Sequence, residues 1–539
     1  MQTVAEADRR AWRWWALALL VLCVAWLGAA PLFDVDEGAF SEATREMLAS
    51  HDWGHTTLNG EPRFDKPILV YWFQAASVAL FGLHEWALRL PSALSMWGWC
   101  LATAWFAMQR WGRTVGLTAG TLLATSLGVV IIGRAATADA LLNLWLVLAA
   151  FDLWRHLESG ERAPLRRAAV WIALGILTKG PVAVLVPGAA VFVWLVASRQ
   201  WGRLRPLLGD GVAWALLLVI ALPWYAYALH RHGMAFVDGF FVKHNLSRYG
   251  GTLEGHGGSV GYYLVVMPLL LMPWTPLLVS VLRRWRDAWQ APATRYLLGW
   301  AGFVLVFFSL SGTKLPHYAL YGLTPLAILA ARQVPAMGRG MAVALALAAL
   351  VLLLGAAASV HLAPAIAAQS GDPLYAQLLA APAAGSAAAS LTTTAMATLG
   401  VAALVVVIGW AAPWRGRAVK AAASGVLVTV MLVGVALPWW AGRLQGPLKA
   451  LAVQYRDAPG TFVQWRMHQP SLAVYQQREL LRRSPAVDER AWTRLDRLGP
   501  SQGDTRWEVV AERDGYALVR WLGPAPADAL PEPKPERTK

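Results

Sequence analysis

The sequence predicts a polytopic, all-helical membrane protein with one small α/β unit near its C-terminus. Three observations carry that expectation. Of the 539 residues, 57% are hydrophobic and only 15% are charged, where a soluble chain holds about a quarter charged residues. Apolar stretches of about 20 residues, the length that crosses a hydrocarbon core, recur roughly thirteen times. The short segments between them alternate between arginine-dense and arginine-poor, as cytoplasmic and outer loops do. A disordered chain, a fibrous chain and an ordinary soluble enzyme are excluded. The net charge of +15 then reflects loop orientation, and nucleic acid is not a partner. Cys23 and Cys100 both lie in apolar runs, so the sequence holds no disulfide framework and no cysteine metal motif.

Taken in order, the spans fall near 14–33, 86–108, 116–133, 139–154, 168–181, 182–198, 211–229, 260–282, 296–311, 318–331, 340–360, 391–412 and 418–440. The first ends in alanines like a signal peptide, but its long apolar run and Pro31 read as a retained anchor. With Arg9, Arg10 and Arg13 inside, the turns holding Arg110, Arg155, Arg167, Arg203, Arg284, Arg332 and Arg417 all fall on the cytoplasmic side. A count wrong by one helix would break that agreement. The expected organisation is a membrane domain over 1–440, an outer-face domain over 441–522 and a disordered tail over 523–539, where proline and charge concentrate. Within 441–522, Thr461–Arg466 and Ser471–Gln476 read as strands. Trp507–Glu512 and Tyr516–Trp521 flank Asp514-Gly515, a hairpin signal. No internal repeat is visible, which disfavours an inverted-repeat transporter.

The chemistry-bearing residues gather on the outer face. Asp36 and Glu37 sit just outside the first span, in a 34–85 loop, before an amphipathic stretch over Ser41–Ser50 that suits a helix at the membrane surface. One such acid reads as a helix cap; two at a membrane boundary read as function. Lys66, next to Asp65, precedes an apolar segment too short to span, so it either snorkels to headgroups or holds an anionic phosphate. Arg248 can grip phosphate in bidentate fashion, and His244 can act as a base or metal ligand, although both also suit a solvated basic loop. Lys314, His317 and Tyr318 share one tight turn. Arg134 and Asp139 flank the third and fourth spans, and Lys179 ends the fifth. Cations in apolar surroundings suit a lipid phosphate, and a carboxylate beside them suits general base catalysis. Neither a P-loop nor GxGxxG with a ribose-binding acid occurs. A lipid or solute transporter built on the same cations is the rival reading, against which the span centres are almost free of charge.

Asp36-Glu37, Arg45-Glu46-Met47-Leu48, Asn59-Gly60, Asp65-Lys66-Pro67, Tyr71-Trp72, Arg89-Leu90-Pro91-Ser92 and Leu315-Pro316-His317-Tyr318 together resemble the motifs of the bacterial aminoarabinose lipid A transferases. These group with the dolichyl-phosphate-mannose–protein mannosyltransferase-like enzymes. The resemblance covers about 1–335 well. It implies a GT-C glycosyltransferase of the bacterial inner membrane that moves a sugar from a polyprenyl (undecaprenyl) phosphate to lipid A, another envelope glycolipid or, less readily, a protein. By the same resemblance Asp36 is the catalytic carboxylate, supported by Glu37 and Asp139. Lys66 and Arg248 bind the carrier phosphate; Tyr318, Lys314, His317 and Phe40 line the substrate site. Asp65 and His244 match a region where relatives hold a cation, so a divalent cation is compatible and no cofactor is required. Phe40 replaces a tyrosine of the aminoarabinose transferases, Asp65 replaces a glutamate, and His244–Arg248 differs in form, which leaves sugar and acceptor open.

Overall fold

The computed structural model describes residues 2–247, 251, 257–380, 386–412, 416–499 and 506–523. Helices dominate. α1 (Gln2–Val24) leads into a turn and then α2 (Asp36–Ser50). A two-stranded ribbon, β1 (Thr57–Leu58) and β2 (Glu61–Pro62), precedes α3 (Leu69–Phe81). α4 (Glu85–Ala124) is one long element broken at Gly112, whose φ of 84° only glycine adopts without strain. It covers the second predicted span and half of the third. A short α5 (Leu127–Ile132) follows, then α6 (Asp139–Ser159), α7 (Arg162–Lys179) and α8 (Val182–Ser198).

Among the described residues, six helices are long and apolar enough to cross a membrane, seven if one bent pair counts as a span. That pair, Tyr262–Leu271 and Pro276–Arg283, turns by 116° where the sequence suggests one straight span. Pro273 and Pro276 sit at or beside the break, and each removes a backbone donor there. α6 is the central element: Leu142, Leu146, Ala149 and Ala150 are fully enclosed against Trp99, Phe106 and Trp300. The helix Gly211–His232 is peripheral and leaves Val219 71% exposed. A long apolar run is read alike in both places from sequence; neighbours decide which is enclosed.

α2 is more deeply placed than its amphipathic pattern suggests. Ten of its residues, Glu37 to Met47 with few gaps, are buried, because α3 covers one side and a short helix from the C-terminal unit covers another. That helix is Ser471–Gln476, which the pattern assigns to a strand. All six residues are buried, so no alternation distinguishes helix from strand, and Pro470 at its start presets the helical φ. The C-terminal sheet runs in the order β4-β3-β5-β7-β6: β3 (Phe462–Gln464), β4 (Leu481–Arg482), β5 (Arg490–Arg494), β6 (Trp507–Arg513) and β7 (Tyr516–Trp521). β3 pairs parallel with β4 and β5, and β5, β7 and β6 are antiparallel. The β6–β7 hairpin turns on Asp514 and Gly515, both at positive φ (45° and 88°), as a two-residue turn requires.

The unit is tied to the loop that bears the acids. The Leu32 N–H donates to the Tyr475 hydroxyl at 2.7 Å, the Ser471 N–H to Asp34 at 2.9 Å, and the Asn59 side-chain amide to the Leu480 carbonyl at 2.9 Å.

Candidate active site

Three carboxylates fall within four residues at the start of α2, and their surroundings separate them. Glu37 is buried, and its two oxygens accept from Arg89 (2.7 Å each), from the Ala136 N–H (2.8 Å) and from the Phe33 N–H (2.9 Å). Burial alone would raise its pKa, but the Arg89 charge and these bonds hold it below the usual value. Glu37, expected as a catalytic acid beside Asp36, therefore has its acceptor capacity engaged in a buried clamp. Arg89 carries the clamp further, donating to the carbonyls of Leu27, Ala30 and Pro31 at 2.7–2.8 Å.

Asp34 is held by the backbone and hydroxyl of Ser471. Burial pushes its carboxyl up to about 7 despite these bonds. Asp36, between the two anchored acids, is exposed. It sits in the first turn of α2, where the helix dipole favours an anion.

A cationic cluster forms from α6, α7 and the 3-10 turn Pro316–Gly322. Asp139 opens α6 and receives the Lys179 ammonium at 2.5 Å. Lys179 also donates to the Tyr321 hydroxyl at 3.1 Å and lies 5.6 Å from the Tyr318 ring centre. His317 Nε2 is 4.0 Å from Asp139, and its ring meets Tyr318 edge-on. Lys66 is half-buried, donates to the Asp65 carbonyl at 3.0 Å and bears electrostatically on both Asp65 and Asp139. Asp139, Lys66, His317 and Tyr318 are thus brought together from three separate segments, with Lys179 and Tyr321 added.

Asp65 accepts from His244 at 2.7 Å and faces Arg63 at 3.3 Å. Burial would raise its carboxyl; the His244 bond and the charges of Arg63, His244 and Lys66 hold it well below the carboxylate range. As a cation site the pair fits poorly. Among the described residues no group of three or more His, Cys, Asp or Glu could hold a metal, and the carboxylate already faces cations, which repel another. Arg248, Glu254 and His256 lie outside the described residues.

Two other expected substrate contacts sit in packing roles. Lys314 is buried, and its ammonium donates to the carbonyls of Ser309 (2.7 Å), Phe308 (3.4 Å) and Ser311. It closes the end of the helix Pro292–Leu310, whose last carbonyls have no intrahelical partner. Phe40 is buried, stacked on Tyr71 at 5.5 Å with the Arg63 guanidinium 5.3 Å from its ring centre. The motif reading missed the role of Arg89. Its signal was an arginine at the start of an apolar stretch, since a buried arginine requires a paired acid.

Residues 65–227 match the family described as dolichyl-phosphate-mannose-protein mannosyltransferase. Several relatives are named undecaprenyl phosphate-alpha-4-amino-4-deoxy-L-arabinose arabinosyl transferase. That of Enterobacter sp. (strain 638) is 32% identical over 56% of this chain and 55% of its own length. That of Aeromonas salmonicida (strain A449) is 34% identical over 59% of each. That of Edwardsiella ictaluri (strain 93-146) is 32% identical over 67% of each. The first two are matched over little more than half of their length. Among solved structures, ArnT from Cupriavidus metallidurans bound to undecaprenyl phosphate superposes with a TM-score of 0.79 at 21% identity, covering 94% of this chain and 97% of that one. Its apo state gives 0.77 over 95% and 98%. The two chains share a fold from end to end.

Proposed function

The chain belongs to the family of undecaprenyl phosphate-alpha-4-amino-4-deoxy-L-arabinose arabinosyl transferases, and we propose from that premise that it is a membrane glycosyltransferase. It takes a sugar from an undecaprenyl-type phosphate and places it on lipid A or a related envelope glycolipid. The reaction occurs at the outer face of the bacterial inner membrane. The observation that carries this reading is the exposed Asp36 between two anchored acids, with the Lys66–Lys179–His317 cluster on the neighbouring segments.

Asp36 takes the proton of an acceptor hydroxyl as its oxygen attacks the anomeric carbon. The bond from that carbon to the phosphate oxygen breaks, and its electron pair leaves with the polyprenyl phosphate. Lys66, with His317 and Tyr318 in the same cluster, stabilises the phosphate charge, and Arg248 is assigned to the same task by its sequence motif, so the leaving side needs no acid. A single displacement inverts the anomeric centre. Asp139 orients Lys179 and Tyr321 against the same phosphate. Glu37 and Arg89 hold the loop that aims Asp36. The reaction derives no step from a metal or cofactor.

The arginine distribution supports thirteen passes with the N-terminus cytoplasmic and the sheet unit of 441–522 outside. On this reading residues 1–440 form the catalytic membrane domain, and the contacts of Leu32, Asp34 and Asn59 with the sheet unit support its lying on the same side as the 34–85 loop.

Mass spectrometry of envelope glycolipids and polyprenyl-phosphate sugars, compared between wild type and a deletion strain, tests the proposal. Loss of one sugar from one glycolipid with accumulation of the charged carrier is expected. Unchanged glycolipids and carriers would remove it.

A further inference from the structure

Two arginines are buried beside the acids of α2, and they are satisfied very differently. Arg89 is saturated: it holds both oxygens of Glu37 and the carbonyls of Leu27, Ala30 and Pro31. Arg63, between β2 and α3, is not. Its side chain is 8% exposed, and its ion pair among the described residues is the 3.3 Å contact with Asp65. Asp65 is itself divided, because His244 approaches it more closely, at 2.7 Å. The Arg63 Nε is buried and has no hydrogen-bond partner among the described residues. The Tyr71 hydroxyl bears on the guanidinium and is buried and unpartnered in the same way. A guanidinium carries several donors in a fixed fork, and leaving one unmade in the interior is costly. An arginine that served packing alone would be closed as Arg89 is.

Position decides what completes it. The guanidinium lies 5.3 Å from the centre of the Phe40 ring. Phe40 stands one turn after Asp36 on α2, and the charge of Asp36 bears on Arg63. Lys66, three residues on, belongs instead with the Lys179–His317 cluster assigned to the carrier phosphate. A sugar attacked from Asp36 and leaving a phosphate held at Lys66 has the body of its ring beside Arg63. The surrounding charge favours an anion there. Arg482 of the sheet unit faces the same region through His468, whose imidazole burial keeps neutral down to about 4. Arg63, Lys66 and Arg482 outnumber Asp36 and Asp65, the acids that bear on them. A protonated amino group on the ring meets like charge, whereas a carboxylate meets a planar fork with a donor to spare.

We propose that Arg63 reads the donor sugar by pairing with a carboxylate carried on its ring, so that the donor is a polyprenyl phosphate bearing an acidic sugar of the hexuronic type rather than a cationic amino sugar. The proposal rests on the transferase reading above and adds the class of sugar. Arg63 is then a specificity residue, and Asp36 remains the base.

Purified protein in nanodiscs with lipid A tests it, given one undecaprenyl-phosphate donor at a time. The donors are glucuronosyl and galacturonosyl carriers, their glucosyl and galactosyl counterparts, and the 4-amino-4-deoxyarabinosyl carrier. In wild type, kcat/KM for the better acidic donor is expected to exceed that of its neutral counterpart by about 10–100-fold, the worth of a hydrogen bond between charged groups. Arg63→Met should remove most of that advantage and raise the relative use of the amino donor. Arg63→Lys, which keeps the charge and loses the fork, should recover only part of the advantage. A neutral or amino sugar as the best donor of wild type would overturn the proposal. So would an unchanged donor ratio in Arg63→Met, including an acceptor KM that rises alike with every donor, which assigns Arg63 to the acceptor. If the variants fail to fold, the wild-type ranking of donors decides. Wild type that transfers none of the five donors would sink the transferase reading. Competition for labelled undecaprenyl phosphate then still decides the Arg63 assignment: the acidic carrier must displace the label at lower concentration than its neutral counterpart, and equal displacement would refute it.

Discussion

Asp34, Asp36 and Glu37 are three acids in one turn with three different fates, decided by partners the linear sequence does not display. The motif reading found Asp36 and Glu37 as a pair but could not tell which was anchored, because Arg89 reaches Glu37 from 52 residues away, as Ser471 reaches Asp34 from 437. Breaking a buried ion pair leaves an uncompensated charge, a loss of roughly 3–5 kcal/mol. Arg89→Met should therefore lower the thermal unfolding midpoint in detergent sharply and reduce the yield of inserted protein. A variant as stable as wild type would contradict the clamp. His468 gives a pH signature. Burial, aided by Arg482 and Arg63, lowers it from 6.5 to about 4. The unfolded chain binds its proton first, so the stability this neutral imidazole contributes is present above pH 6.5 and is lost as pH falls toward about 4. Thermal unfolding scanned from pH 7 to 4 should show that decline in wild type and a shallower one in His468→Gln; equal slopes would exclude His468 as its source.

At the scale of elements, position against neighbours decides what pattern cannot. The alternating run Tyr516–Trp521 and the Asp514-Gly515 turn were legible because hairpin chemistry is local. Ser471–Gln476 was not, since an element buried on all sides has no polar face to set its period. Lys314 looked like a ligand-binding cation because its partners are backbone carbonyls, which every sequence supplies alike. The short helix Ser471–Gln476 also couples the sheet unit to α2 through Asp34. Each hydrogen bond contributes on the order of 1 kcal/mol net. Asp34→Ala, which removes both bonds to Ser471, should loosen that contact: limited proteolysis is expected to release the C-terminal unit faster, with a several-fold loss of turnover. Proteolysis at the wild-type rate would show that the contact carries little.

For the whole molecule, composition made the membrane class legible, and the arginine distribution carries the proposal that the chemistry lies at the outer face. They could not show that α6 is enclosed while Gly211–His232 faces outward, because both carry long apolar runs. The orientation predicts labelling: an impermeant thiol reagent on intact cells should modify Asp514→Cys, and Arg286→Cys only after permeabilisation. Native Cys23 and Cys100 are buried and should stay silent. The reverse pattern would invert the topology. The central claim is that Asp36 is the base of a sugar transfer between two lipids. Purified wild type and Asp36→Asn, reconstituted with an undecaprenyl-phosphate sugar and lipid A, test it most directly by a single-turnover transfer assay with carrier binding measured in parallel. The account predicts a loss of transfer of about 10²–10⁴-fold, the usual contribution of a positioned base, with carrier binding and unfolding midpoint unchanged. Transfer by Asp36→Asn at the wild-type rate would contradict it.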